Sequence, residues 1–219
     1  MPVRKIPKTY RSISGRFPSA INGRCIGYES KLERDYYLRL EFDQTIASYE
    51  EQPIRLSGSV DGKEVSYTPD CLVKFLDGKP PRIVEVKSQE ELDKKAEDLE
   101  RRFSLARNHV EGQGGEFVII NEKDIYDDAL ANYRLIYRFV KPPPNIETKR
   151  KLIIGILEHA GPLPLRDLLK SLGEDRIAQA HFTRAIWHML YTREIEADLS
   201  KPISHSTILR ISNGTENLS

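Results

Sequence analysis

The chain has 219 residues, of which 39% are hydrophobic, enough for one domain or two small ones with a real core. Its 34 basic and 33 acidic residues nearly cancel, so no overall basic excess announces nucleic acid and the distribution of charge matters more than its sum. Two distant cysteines, Cys25 and Cys71, indicate neither a disulfide framework nor a zinc site, and no signal-peptide region or membrane-length apolar run is present, so a cytoplasmic protein without membrane contact is expected.

Residues 1–28 carry six positive charges (Arg4, Lys5, Lys8, Arg11, Arg16 and Arg24) and no Asp or Glu before Glu29. Pro2, Pro7 and Pro18 break any helical pattern, so the segment reads as a flexible basic arm. Arg4, Lys5, Lys8, Arg11 and Arg16 are its candidate phosphate contacts, the alternative being an ordinary solvated terminus. Glu29 to Asp43 predicts a helix, with Leu32, Tyr36 and Leu40 on one face. Ser30 and Glu33 have capping-box spacing at its start.

Strands follow at Thr45–Tyr49 and Ile54–Val60, and Asp61-Gly62 predicts a tight hairpin into Lys63–Tyr67. The stretch from Tyr67 to Lys87 organises the rest. Leu72, Val73 and Phe75 lie in one strand and Ile83, Val84 and Val86 in the next, joined by a turn at Asp77-Gly78. Side chains alternate along a strand, so Glu85 and Lys87 share one face. Pairing the strands brings Asp70 beside them, and two carboxylates and one ammonium then converge at a sheet corner. Hard oxygen donors suit Mg²⁺ or Mn²⁺, and such a corner suits phosphodiester hydrolysis, with the lysine orienting water or neutralising developing charge. Taken separately, Glu-x-Lys is an ordinary solvated strand face and Asp after Pro an ordinary turn.

Glu90 to Val110 predicts a helix that buries Leu92, Ala96, Leu99, Phe103 and Ala106, with Lys94, Lys95, Arg101 and Arg102 on a solvated face. Phe117–Ile120 is an apolar strand, and a right-handed crossover should set it parallel to Arg82–Lys87. A helix at Asp124–Tyr133 and a strand at Leu135–Val140 complete a mixed sheet flanked by helices, the domain spanning 29–141. Lys141-Pro142-Pro143-Pro144-Asn145 is the expected boundary. In 142–219, helices at Ile146–His159, Leu165–Leu172 and Arg176–Tyr191 and a β-wing from Ile195–Ala197 and Thr207–Ile211 predict a small winged helix-turn-helix. Leu152, Ile153, Ile156 and Leu157 form the apolar side of its first helix, and its third carries Ile177, Ala180, Ala185, Ile186, Met189 and Leu190. That third helix offers Arg176, Gln179, His181, Thr183, Arg184 and His188 to DNA. The segment holds ten basic residues against nine acidic, which favours protein docking or weak backbone contact over sequence reading.

Pro69-Asp70…Glu85-Val86-Lys87 matches the signature of restriction-endonuclease-like nucleases. Ser30-Lys31-Leu32-Glu33-Arg34-Asp35, Tyr49-Glu50-Glu51-Gln52-Pro53, Tyr67-Thr68-Pro69-Asp70 and Glu85-Val86-Lys87 together resemble TnsA, the endonuclease subunit of heteromeric cut-and-paste transposases. The short length resembles the forms found in transposons that carry CRISPR effectors. The resemblance implies a restriction-endonuclease-like fold and catalytic residues at Glu33, Asp70, Glu85 and Lys87. Glu33, Asp70 and Glu85 would be the ligands of Mg²⁺ or Mn²⁺; Glu85 stands where some members carry glutamine. It implies cutting at the 5′ ends of the transposon, with an RNase H-like transposase subunit and an AAA+ regulator as partners. Glu33 as a cap residue remains the alternative to its metal role. A stand-alone restriction or repair nuclease of the same fold, and a non-catalytic DNA/protein adaptor, are the competing functions.

Overall fold

The computed structural model describes residues 13–212, which fall into two compact units divided between Tyr126 and Asp127. The expected boundary at Lys141 therefore falls inside the second unit. Arg4, Lys5, Lys8 and Arg11 lie outside the described residues.

The first unit opens with a hairpin, β1 (Gly15–Ser19) and β2 (Arg24–Tyr28), where the sequence suggested a continuous arm. Two carboxylates hold it down. Arg24 forms a two-pronged pair with Glu51, at 3.0 and 2.7 Å, and the Gly27 amide donates to the same carboxylate. Glu41 is buried and accepts from Ser19 Oγ at 2.5 Å, the amides of Ala20 and Ile21, and Tyr49 Oη at 2.6 Å. Removing it would strand several buried donors, each lost bond to a charged acceptor costing about 1.5–3 kcal/mol. Glu41→Ala should therefore lower the urea midpoint of unfolding by an amount equivalent to about 3 kcal/mol or more. A change within the range of ordinary surface substitutions would mean that the carboxylate does not anchor the hairpin.

Helix α1 (Lys31–Glu41) begins at Ser30, whose hydroxyl accepts from the Glu33 amide at 3.1 Å. The central sheet has the order β3 (Ile46–Glu51), β6 (Cys71–Phe75), β7 (Arg82–Val86), β8 (Glu116–Ile120). The first two pairings are antiparallel and β7–β8 is parallel, as the crossover predicts. Between β3 and β6 runs a hairpin of β4 (Leu56–Val60) and β5 (Lys63–Tyr67). Its turn residues Asp61 and Gly62 have φ of 51° and 72°, the positive values that a two-residue turn of this hand demands.

One face of the sheet carries Tyr49, Val73 and Val84, with Tyr37 of α1 stacked 5.5 Å from Tyr49. On the other face, α2 (Gln89–Lys94) and α3 (Ala96–Glu111) replace the single predicted helix, with the break at Lys95. Leu99, Phe103 and Ala106 of α3 pack with Leu56 and Tyr67, and with Phe117 and Ile119 of β8. Helix α4 (Glu122–Ile125) closes the unit under an Asn121–Asp124 capping box.

The second unit contains α5 (Asp128–Ile136), a 3₁₀ turn at Tyr137–Phe139, α6 (Ile146–Ala160), β9 (Leu163–Pro164), α7 (Leu165–Leu172), α8 (Arg176–Tyr191), β10 (Ile195–Glu196) and β11 (Ile208–Ile211). The strand expected at Leu135–Val140 is thus the end of a helix and a 3₁₀ turn; Asp127 caps α5 and its buried face is Ala129, Leu130, Asn132 and Ile136. The short strands form one antiparallel sheet, β10-β11-β9, and β9 has no counterpart in the sequence reading. Asn132 is buried and organises the β10–β11 connection, donating to the Leu199 and Lys201 carbonyls and accepting from the Ile203 amide. One apolar assignment differs: Ile153 and Leu157 of α6 are buried, but Leu152 is 50% exposed; on α8, Ile177 is 73% exposed.

Candidate active site

Strand register builds the site. Cys71 stands opposite Val84, so the preceding residue, Asp70, stands opposite Glu85. Directly opposed residues share a face of the sheet. The Val86 amide donates to Asp70 Oδ2 at 2.8 Å and orients that carboxylate. Lys87 continues the parallel ladder, its amide donating to the Ile120 carbonyl at 3.0 Å. Its ammonium lies 2.9 Å from Glu85 Oε1 and 3.7 Å from Asp70 Oδ2. The corner read from the sequence is therefore assembled.

The sequence places Tyr67 at a strand end and in a motif string but assigns it no role in the site. Its hydroxyl donates to Glu85 Oε2 at 2.5 Å inside the core, so both Glu85 oxygens are engaged and the side chain is fixed. Glu33 is buried at 7% exposure and its Oε2 accepts from the Glu29 amide at 2.8 Å. It thus has the capping contact at its own amide, through Ser30, and a side chain turned back over the helix start.

Electrostatics join Glu33 to the corner. Burial, then the Asp70 charge, push the Glu33 carboxyl up to about 7. Asp70 is raised from the ordinary range by burial first and the Glu85 charge second, with Lys87 and the Val86 amide opposing. Burial lowers the Lys87 ammonium, but Asp70 and Glu85 outweigh it and the net shift is upward. The cluster thus holds more carboxylate charge than one lysine neutralises.

Asp70, Glu85 and Lys87 line an open cleft of about 720 Å³, and Glu33 lies outside its lining. Lys95 and Arg102 line it too, although the sequence placed them on a solvated face, and so does Arg55. Glu91, Lys95, Asp98 and Arg102 recur at helical spacing along α2 and α3, which is the signal for one face turned to the cleft. Lys95 pairs with Glu91 and Arg102 with Asp98 along this face, while Lys94 pairs with Glu90 and Arg101 with Glu97 outside the cleft lining. Gln52 also lines the cleft; the sequence ended its strand at Tyr49, whereas β3 runs on to Glu51 and sets Gln52 next in register.

Among the described residues no three His, Cys, Asp or Glu side chains stand together as a ready-made metal cage. The donor set still fits a hard cation that keeps several waters, because one or two carboxylates suffice for Mg²⁺. Asp70 and Glu85 supply them, and their crowded charge is what a divalent ion would relieve.

Of the remaining predicted contacts, Arg16 is exposed on β1. Within the second unit, Arg176, His181 and Arg184 are exposed on α8. His188 is instead buried and donates from Nδ1 to the Phe139 carbonyl at 2.9 Å, while Thr183 Oγ1 donates to the Gln179 carbonyl at 2.7 Å. Neither hydrogen-bonding group is offered outward. No described helix is long and apolar enough to cross a membrane.

Comparison with known proteins gives two family matches. Residues 43–122 match the family described as TnsA-like endonuclease N terminal, and residues 124–199 match TnsA endonuclease C terminal. Together they span most of the chain and meet close to the division between the two units. A search of curated proteins finds no match.

Proposed function

The chain belongs to the TnsA endonuclease family, and from that premise we propose that it is the metal-dependent endonuclease subunit of a transposase complex, cutting the 5′ ends of the element. The observation that carries this reading is the Asp70–Glu85–Lys87 corner at an open cleft whose lining also includes Arg55, Lys95 and Arg102. Asp70 and Glu85 hold Mg²⁺ or Mn²⁺, with Glu33 the third carboxylate. The bound cation supplies activation of water and stabilisation of phosphate charge. Val86 and Tyr67 fix the two carboxylates in orientation before DNA arrives. Lys87 steers the attacking water and balances charge that develops on the phosphate. Hydrolysis leaves a 3′-hydroxyl and a 5′-phosphate.

The second unit, with three helices and a β10-β11-β9 sheet, serves in this reading as a winged helix that docks partner proteins: an RNase H-like transposase subunit and an AAA+ regulator. Leu152 and Ile177, exposed on α6 and α8, suit such docking better than DNA reading. Nearly balanced charge in 142–219 supports the same choice.

Strand-specific mapping of breaks in Mg²⁺, with and without the partner transposase, tests the proposal. Cleavage confined to the 5′ ends and dependent on the partner is expected. Efficient cutting by the isolated chain would instead favour a stand-alone nuclease. No cutting in either arm, with wild-type and Asp70→Ala proteins binding Mn²⁺ equally in calorimetry, would leave only the adaptor role.

The basic segment ahead of β1 is assigned to phosphate. Deleting residues 1–12 removes Arg4, Lys5, Lys8 and Arg11 and spares the folded hairpin. If each contacts one phosphate, the slope of log affinity against log salt should flatten by about 3 to 4. An unchanged slope in a DNA-binding titration across salt concentrations would show that the segment does not touch the backbone.

A further inference from the structure

Gln52 lies in the site beside Asp70 and Glu85 and has no part in the roles assigned above. Glu51 stands opposite Cys71 in the β3–β6 pairing, so Gln52 falls opposite Asp70. Its amide donates to the Asp70 carbonyl at 3.0 Å, which fixes that juxtaposition. With Asp70 opposite Glu85, the residues Gln52, Asp70 and Glu85 form one row across three adjacent strands. Asp70 and Glu85 share one face as directly opposed strand positions, and Gln52 joins them at the end of β3. All three line the same cleft.

The side chain of Gln52 is 7% exposed and only half satisfied. Nε2 donates to Glu29 Oε1 at 3.0 Å. A carboxylate only accepts, so the amide cannot turn over, and Oε1 is committed to the other direction. Among the described residues, Gln52 Oε1 is the buried side-chain polar atom without a hydrogen-bond partner. A buried acceptor left unsatisfied is costly, and its persistence asks for a group that is absent from the protein alone. The backbone adds to the cost: φ at Gln52 is 44°, a left-handed value that non-glycine residues hold only where the surroundings impose it.

We propose that Gln52 Oε1 is a ligand of the divalent cation, the third oxygen in the row with Asp70 and Glu85. Amide oxygens are ordinary ligands of hard cations and carry no charge. A neutral donor adds coordination without adding to the repulsion that already raises Asp70 and Glu33. Glu29 then acts as a positioning residue that holds the amide in its productive orientation. This inference rests on the reading that Asp70 and Glu85 bind the cation.

Calorimetric titration of Mn²⁺ into the purified full chain at pH 8 tests it, with thermal unfolding in EDTA alongside. Gln52→Met removes the oxygen at similar volume and should weaken Mn²⁺ affinity about tenfold. Gln52→Glu keeps an oxygen there and adds charge, and should bind Mn²⁺ at least as tightly as the wild type. Both variants lose the donor to Glu29, so a merely structural role predicts equal weakening in the two. Equal weakening, or no change in either, overturns the proposal. Asp70→Asn separates the two levels: if it leaves Mn²⁺ binding intact, the underlying site is wrong; if it abolishes binding while Gln52→Met does not weaken it, only the assignment of Gln52 fails.

Discussion

Replacing Lys87 with Ala should convert transposition products from simple insertions to joined donor–target molecules. The ammonium sits 2.9 Å from Glu85 and 3.7 Å from Asp70, on a side chain 22% exposed at the cleft rather than in the core. Its removal deletes no oxygen donor, and Asp70 keeps its orienting bond from Val86. The lost charge acts on the phosphate as negative charge develops, so the effect should fall on the cutting step, by about 10² or more, and not on assembly. In the proposed complex the partner retains its own active site and still cuts and joins the 3′ ends. One strand at each end then stays attached to the donor. Long-read sequencing of products from the variant strain reads this directly. Simple insertions at the wild-type proportion would make Lys87 a bystander in the cleft.

The corner was legible in the sequence because it is local and periodic. Asp70, Glu85 and Lys87 belong to two consecutive strands joined by a short turn: alternation puts Glu85 and Lys87 on one face, and the hairpin pairing brings Asp70 beside them. The parallel placement of β8 was legible for a similar reason, since a strand–helix–strand unit has one common hand. Non-local contributions were harder to see. Tyr67 reaches from the end of β5 to Glu85 on β7, and nothing in the spacing of either residue encodes that contact. Arg24 and Arg16 looked alike in an acid-free stretch, yet Glu51 claims only the first of them in the described pairs, because the hairpin folds back onto β3. The apolar run Leu135–Val140 suggested a strand, and helix packing within the second unit overrode that local preference.

Metal-free protein should lose stability between pH 5 and pH 8 through Glu33, and a divalent cation should return it. Burial and the Asp70 charge raise the Glu33 carboxyl from 4.5 to about 7. A raised carboxyl pKa means that the folded chain binds the proton more tightly than the unfolded one. The resulting stabilisation is present below about pH 4.5 and disappears as pH rises through 7, so stability falls with pH in this window. The loss between pH 5 and 8 is about 2 to 3 kcal/mol. Asp70, also raised, adds in the same direction. Lys87 stays charged across the window and contributes no slope. Glu51 and Glu91 are shifted downward and act below it. Glu33→Gln mimics the protonated state and still accepts from the Glu29 amide, so its stability should be flatter with pH by that amount. Urea unfolding in EDTA at several pH values measures the difference. Adding Mn²⁺ at pH 8 should stabilise the wild type by an amount that grows with the logarithm of metal concentration. Parallel pH profiles for wild type and Glu33→Gln would show that Glu33 is an ordinary cap residue, outside the field of the Asp70 corner.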